Sequence, residues 1–186
     1  MDASLMETYT AILREELIPA MGCTEPIAIA LCAAKLRSLL GREPEQITAA
    51  LSGNIIKNVK SVVVPNTDGR KGIRPAIAAG MVAGDPDAGL LVIASLPHER
   101  LPELDAFLVR CSGSPCKLDI DLTATAGAHH ARVRIAGQHT NIIYLERDGE
   151  ILRDEPLPQT AEERGADRSA LNVEDILHYA DETPLE

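Results

Sequence analysis

A thiol, a hydroxyl and a carboxylate are adjacent in the segment Gly-Cys-Thr-Glu-Pro, directly before an apolar run. Thr24 is a suitable N-cap, and Glu25 and Pro26 suit the first turn of a helix. The unpaired N–H groups of a helix N-terminus favour negative charge, so a thiolate or an iron-bound thiolate is tolerated at Cys23. The pattern leaves two interpretations open: a reactive or ligating cysteine, or a small side chain packed beside a glycine turn, which is the commoner case.

A second candidate cluster lies about thirty residues further on. Asn54, Lys57 and Asn58 share one side of a helix predicted over residues 54–61. Amide and ammonium groups donate hydrogen bonds, so this side of the helix suits the carboxylate of a substrate. An ordinary solvated helix face is the alternative interpretation.

The loop at residues 65–72, Pro-Asn-Thr-Asp-Gly-Arg-Lys-Gly, is the third candidate. It precedes a predicted helix over residues 73–82 and is flanked by basic side chains, so its backbone N–H groups could hold a carboxylate or phosphate. It lacks the P-loop pattern, which argues against nucleotide binding. A solvated surface turn is equally compatible with this composition. The candidate ligand-binding residues of the loop are Asn66, Thr67, Gly69 and Gly72.

Histidines give weaker signals. His139 precedes a predicted strand, where a structural hydrogen bond is the commoner role. His129 and His130 lie in a Gly/Ala-rich stretch without the neighbouring carboxylates or cysteines that a metal site needs, so we do not assign them to one.

Taken together, residues 21–41, residues 51–72 and the Gln-His-Thr-Asn-Ile run at 138–142 resemble the N-terminal part of the L-cysteine desulfidase family. That family is related to the iron-sulfur L-serine dehydratase alpha subunits. The segment from Gly22 to Pro26 looks like its signature, and Asn54, Lys57 and Asn58 look like its second block. The resemblance covers nearly the whole chain, but family members are longer and continue into a helical portion.

The resemblance implies a PLP-independent lyase that eliminates sulfide from L-cysteine and yields pyruvate and ammonia. It also implies a 4Fe-4S cluster held by three cysteines, of which Cys23 matches the first. The other two belong to the C-terminal portion, and Cys32, Cys111 and Cys116 match no motif. We therefore expect the cluster in the complete family protein and do not expect this chain alone to retain it.

The implied roles follow the motifs. Cys23 is the expected iron ligand, Thr24 and Glu25 are the expected catalytic residues, and the 65–72 loop with Asn54 and Lys57 would hold the carboxylate of L-cysteine or a serine-like amino acid. The competing hypothesis is a non-catalytic or regulatory domain that binds an amino acid, or docks onto a helical partner, without a cluster. A homo-oligomer or a helical partner is expected under either hypothesis.

Composition limits the possible partners and compartment. The chain has 186 residues, a formal charge of -10 and 45% hydrophobic residues, but only 2% aromatic residues. Nucleic acids and anionic membrane surfaces attract positively charged proteins, so neither is an expected partner. The four cysteines form no C-x-x-C pair and no cationic, apolar leader begins the chain, so we expect the reducing cytoplasm. No apolar run is long enough to predict a membrane span.

Hydrophobic periodicity predicts an α+β fold. An N-terminal helical segment carrying the glycine-rich loop is expected over residues 1–84, and a β-α-β-β-β lobe with a mainly antiparallel sheet over residues 85–155. A connector and a terminal helix are expected over residues 156–186. Helices are predicted at 5–17, 25–40, 54–61, 73–82, 99–109 and 172–179, and strands at 62–64, 90–94, 116–122, 131–136, 141–146 and 150–152; residues 46–52 fit either type.

Overall fold

The computed structural model describes residues 2–108, 111–115, 119–156 and 168–183. Six α-helices occur in these residues: α1 Ala3–Glu16, α2 Thr24–Leu40, α3 Gly53–Val59, α4 Ile73–Ala83, α5 Leu101–Leu108 and α6 Val173–Glu182. The strands are β1 Gln46–Leu51, β2 Cys111–Pro115, β3 Ile120–Ala126, β4 His129–Ile135, β5 Ile142–Arg147 and β6 Glu150–Asp154. The fold is α+β, as predicted.

All six strands belong to one sheet with the order β2-β1-β3-β4-β5-β6. β1 pairs with β2 in parallel, and every other pair is antiparallel. The mainly antiparallel character is therefore confirmed. It follows from the short turns that join β3 to β4, β4 to β5 and β5 to β6, because only antiparallel strands can be joined by such turns.

The sheet extends across the boundary predicted near residue 84. β1 comes from the predicted helical segment, yet it lies between β2 and β3 and pairs with both. The contacts divide the chain into a unit within residues 20–158 and a unit of residues 1–19 with 159–186. This division differs from the expected 1–84, 85–155 and 156–186 because strand pairing joins distant parts of the chain.

Several local predictions are corrected by the structure. Residues 90–94 form no strand: a short 3-10 helix, Gly89–Leu91, and a turn bury Val92 and Ile93 instead. Residues 62–64 contribute only one bridge, between Val63 and Lys71. Residues 116–118 of the predicted strand 116–122 lie outside the described residues, and β3 begins at Ile120.

Helix α2 is enclosed by the rest of its unit. Every residue from Pro26 to Ala34 is buried, and the helix packs against α4, β3 and β4. An apolar surface on all sides is typical of a helix that is buried on all sides. The helix ends at Gly41, whose φ of 69° is the left-handed conformation expected of a C-cap glycine.

The crossing of α2 and α4 depends on a glycine. A Cβ atom at Gly80 would overlap the carbonyl group of Ala30, so the two backbones touch at this point. Gly84 makes a similar approach, since a Cβ there would lie 2.7 Å from the Cβ of Ala34. Small side chains on both helices therefore determine how closely α4 covers α2.

In the other unit, α1 and α6 are joined through tyrosines. The rings of Tyr9 and Tyr179 stack at 5.5 Å, and the Tyr179 hydroxyl lies 2.8 Å from that of Thr10. The Asn172 side chain accepts a hydrogen bond from the Asp175 N–H, which confirms it as the N-cap of α6. Large apolar side chains remain exposed on and beside these helices, at Leu13, Leu17, Ile18, Val173, Ile176 and Leu177. No helix in the described part of the chain has the length and apolarity needed to cross a membrane.

We expect Gly80→Ala to lower the free energy of unfolding by about 1–3 kcal/mol, because overpacking a tight core forces backbone shifts. Gly53→Ala is the matched control, since a Cβ at Gly53 meets nothing within 4 Å. Alanine is favoured over glycine in a helix, so this control should not destabilise the protein. Urea unfolding measures both variants, and equal midpoints would contradict the close crossing.

Candidate functional site

A cavity of about 230 Å³ lies where the start of α2, helix α3 and the turn between β4 and β5 meet. Its polar lining residues are Glu25, Asn54, Asn58, Asp119, Gln138 and His139. They come from parts of the chain up to about a hundred positions apart. Small clefts with a few converging polar groups are the usual form of a ligand site.

The sequence around α3 explains how the two asparagines reach the cavity. Ser52 caps the helix by accepting a hydrogen bond from the Ile55 N–H at 3.3 Å. Ile55 and Val59 are buried in the core, so this four-residue spacing fixes the rotation of the helix. Asn54 and Asn58 have the same spacing on the adjacent side and line the cavity.

Glu25 is held in place by α3. The Asn58 amide donates a hydrogen bond to the Glu25 carboxylate at 3.0 Å. Glu25 stands in the first turn of α2, where the positive end of the helix dipole stabilises a carboxylate. The predicted catalytic residue and the predicted binding residue Asn58 are therefore in direct contact.

Asp119 and His139 lie at the same end of the β3–β4 pair, Asp119 directly before β3 and His139 in the turn after β4. The Asp119 carboxylate accepts a hydrogen bond from the Gly137 N–H at 2.8 Å, and its carbonyl accepts one from the Ser52 N–H at 3.0 Å. Asn141 closes the same turn by donating to the Ala136 carbonyl at 3.0 Å. These bonds tie the turn that carries His139 to the start of α3.

Cys23 and Thr24 lie beside the cavity and do not line it. Cys23 is the exposed N-cap residue of α2, and Thr24 is the first residue of the helix instead of the predicted cap. Gly22 has a φ of 139°, and a Cβ there would lie 3.5 Å from the Pro65 ring. The cysteine turn thus packs against the start of the 65–72 loop.

The described residues do not fit a complete iron-sulfur site. Cys23 offers one exposed thiol. Cys32 is fully buried, and its thiol donates to the Val133 carbonyl at 3.5 Å. Burial raises the pKa of Cys32 well above its usual value, which keeps it protonated. No group of three or more His, Cys, Asp or Glu side chains that could hold a metal occurs in the part of the chain that is described.

Two predicted ligand-binding side chains of the 65–72 loop have structural roles instead. Thr67 is fully buried, and its hydroxyl donates to the Val64 carbonyl at 2.7 Å. The Asn66 amide donates to the carbonyls of Ile93 and Ala94, each at 3.0 Å. These bonds hold the loop closed, and Thr67 has no surface left for a ligand.

The positive charge of the loop is partly neutralised. Arg70 forms a two-pronged ion pair with Asp105 at 2.8 and 2.7 Å, and this hydrogen bonding lowers the pKa of Asp105. Gly69 and Gly72 have φ values of 76° and 96°, so they serve the turn geometry. Lys57 is exposed on α3 and is not part of the cavity lining.

The structure therefore brings together only some of the predicted site. Glu25, Asn54 and Asn58 share a cavity, while Cys23, Thr24, Lys57 and the 65–72 loop lie outside its lining. The sequence analysis missed Asp119. The sequence gives little indication of this role, because aspartate is also common directly before a strand that has no ligand site.

The charge of the cavity differs from the expectation. Its charged lining residues are the carboxylates of Glu25 and Asp119. A cavity with this lining attracts an ammonium group more strongly than a carboxylate. The expected carboxylate-binding role of Asn54 is thus poorly matched to its neighbours.

Comparison with known proteins gives relatives of similar sequence. The chain is 42% identical over 193 residues to a UPF0597 protein of Treponema denticola, which it covers to 45%. It is 43% identical over 186 residues to one of Desulfitobacterium hafniense and 41% over 189 residues to one of Finegoldia magna, covering 43% and 45% of them. These matches include 97–100% of this chain.

The chain thus spans somewhat less than half the length of these curated relatives. No protein-family model matches it, and no solved structure matches it. The names of these three relatives state no substrate or reaction.

We expect Thr67→Val to destabilise the protein by about 1–3 kcal/mol, because it leaves the buried Val64 carbonyl without its hydroxyl donor. Thr125→Val, on the exposed side of β3, should change stability by no more than about 0.5 kcal/mol. Thermal unfolding compares the two. If Thr67→Val were as stable as the control, the structural role of Thr67 would be wrong.

Proposed function

We propose that this chain supplies the amino-acid-binding part of a PLP-independent carbon-sulfur lyase resembling L-cysteine desulfidase, acting in the reducing cytoplasm. One observation carries the proposal. The three sequence blocks behind the resemblance each contribute polar residues to one cavity: Glu25 from the first, Asn54 and Asn58 from the second, and His139 from the third. Such convergence is what a shared substrate site requires.

The dimensions and charge of the cavity support a small zwitterionic substrate. Its volume of about 230 Å³ is below the range of roughly 300–1,000 Å³ found for drug-sized ligands, which suits a molecule as small as L-cysteine. Glu25 and Asp119 would attract the α-ammonium group. The Asn54 amide offers both a donor and an acceptor to the rest of the substrate.

The proposed reaction is a β-elimination. A base takes the proton from Cα, the Cβ–S bond breaks with its electrons on sulfur, and the enamine that forms takes up water to give pyruvate and ammonia. His139 is the cavity's imidazole and is the candidate proton acceptor, since histidine is the side chain most often used for this role. The Glu25–Asn58 hydrogen bond would keep the nearby carboxylate oriented during the reaction.

The proposed cofactor has only one ligand here. In the family that this chain resembles, a 4Fe-4S cluster supplies Lewis-acid chemistry, and Cys23 would be the ligand from this chain. The remaining ligands would have to come from outside the described residues. Cys23 is exposed next to the Glu25 turn, which is compatible with a ligand shared with another part of a longer protein.

A partner surface is also proposed. Among the described residues, several of the exposed large apolar side chains lie on and beside α1 and α6. A two-helix unit buries little apolar surface by itself. A helical partner segment or a second copy of the chain would cover this surface.

The main test is binding of three ligands of similar size to the chain under reducing conditions. L-Cysteine and cysteamine carry an ammonium group, whereas 3-mercaptopropionate carries only the carboxylate and thiol. We expect the first two to shift backbone NMR resonances at Glu25, Asn58 and His139, and the third to bind at least about tenfold more weakly, since opposite charges in a partly desolvated site contribute about 1.4 kcal/mol or more.

Glu25→Gln should weaken the binding of L-cysteine, because it removes the carboxylate from the cavity while preserving its shape. Glu45→Gln, at an exposed position before β1, is the control and should bind like the unmodified chain. Equal weakening in both variants would point to a general charge effect. A lack of binding by all three ligands would reject the amino-acid site.

Catalysis is tested on the full-length relative from Treponema denticola, purified without oxygen. We expect it to release sulfide from L-cysteine with equimolar pyruvate. Binding without sulfide release would favour the second candidate, a regulatory amino-acid-binding domain. That candidate uses the same cavity and needs no cluster.

A further inference from the structure

We propose that a second cavity in this unit, lined by Arg37, Arg42 and Arg100, binds a small organic oxyanion with an apolar portion of a few carbon atoms. The cavity has a volume of about 510 Å³. It is formed by the end of α2, the turn that follows it, the end of α4, and helix α5 with Arg100 directly before it. None of the residues that carry the proposed lyase function lines it.

Arg37 gives this cavity a fixed positive group. Its guanidinium donates to three main-chain carbonyls at the end of α4, those of Met81 at 2.9 Å, Val82 at 3.0 Å and Gly84 at 2.7 Å. These bonds hold the guanidinium rigidly. Carbonyls and the negative end of the helix dipole offset only part of a full charge, so an attraction for anions remains.

Arg100 brings a second positive charge to the same cavity. Burial lowers the pKa of Arg37, and the charge of Arg100 lowers it further, which reflects repulsion between the two guanidiniums. Arg100 forms a two-pronged ion pair with Glu103 at 2.9 and 2.7 Å, so its own charge is partly neutralised. An anion between the arginines would relieve the remaining repulsion.

Arg42 provides a third positive group at the edge of the cavity, whose charged lining comprises three arginines and the two glutamates Glu43 and Glu103. It is exposed on the turn after α2, where its long side chain can reach toward an incoming anion. Guanidinium groups present paired N–H donors that match the two oxygens of a carboxylate or the face of a phosphate. The proposed ligand is therefore defined by its oxyanion, which is either a carboxylate or a phosphate group.

The rest of the lining determines the other part of the ligand. Met81, Val82 and Phe107 are 4%, 8% and 4% exposed, so they form an apolar floor that is otherwise covered by the fold. Inorganic phosphate would leave this floor in contact with water. A branched or linear aliphatic group beside the oxyanion would cover it, and burial of that group would add to the affinity.

The test uses three probes of defined chemistry. Isovalerate has the oxyanion and the aliphatic group, isovaleramide has nearly the same shape without charge, and inorganic phosphate has the charge without the aliphatic group. Binding is followed by backbone NMR shifts at Ser38, Gly41 and Val82. We expect isovalerate to bind at least fivefold more tightly than either of the other two, and to weaken with added sodium chloride.

Arg42→Gln and Arg100→Gln test the role of the arginines, because both side chains are at least partly exposed. Arg37 is left unchanged because its guanidinium caps α4. Each variant should weaken isovalerate binding at least fivefold, while Arg153→Gln, in the exposed strand β6, should leave it unchanged. Comparable isovaleramide and isovalerate binding would overturn the proposal. So would an absence of binding, or an equal loss in Arg153→Gln. L-Cysteine titrations are independent of these results, because they report on the other cavity.

Discussion

The burial of α2 is the constraint on which the rest of this unit depends. The helix is apolar on all sides from Pro26 to Ala34, so it must be covered by the sheet on one side and by α4 on another. Gly80 allows α4 to approach until the two backbones touch. This close crossing fixes both ends of α2, and both cavities are found at those ends.

At the N-terminal end of α2, polar groups from three parts of the fold line one cavity. Glu25 lies in the first turn, where the helix dipole favours a carboxylate, and α3 supplies the Asn58 amide that holds it. Asp119 and the turn carrying His139 complete the cavity from the sheet. The proposed ammonium-binding site is thus built from a helix start, a short helix and a strand turn, each fixed by the core.

The cavity at the C-terminal end of α2 is lined by arginines, whereas the cavity at the N-terminal end is lined by carboxylates. Arg37 caps α4, and Arg42 and Arg100 lie around the same cavity. The cavity lining has three arginines and two glutamates, Glu43 and Glu103, so a local positive charge remains there in a protein whose formal charge is -10. The two proposed sites therefore lie at opposite ends of one helix.

The sequence by itself determined the element types where periodicity was strong, and tertiary contacts decided the rest. The apolar run of α2, the Gly41 cap and the Asn172 cap follow from local chemistry, and so does the α+β class. The position of β1 between β2 and β3 could not be predicted, because its pairing with β3 depends on residues about seventy to eighty positions away. For the same reason the boundary expected near residue 84 does not appear as a division of the contacts.

The candidate site was likewise predicted only in part from the sequence. The residue types singled out Glu25, Asn54 and Asn58, which the fold places in one cavity. They also singled out Thr67 and Asn66, whose polar groups the fold uses to close a loop. A buried carbonyl needs a hydrogen-bond donor, and sequence cannot tell whether a threonine supplies it or meets a ligand. Only the tertiary structure decided between those roles, since burial and hydrogen-bond partners are properties of the folded chain.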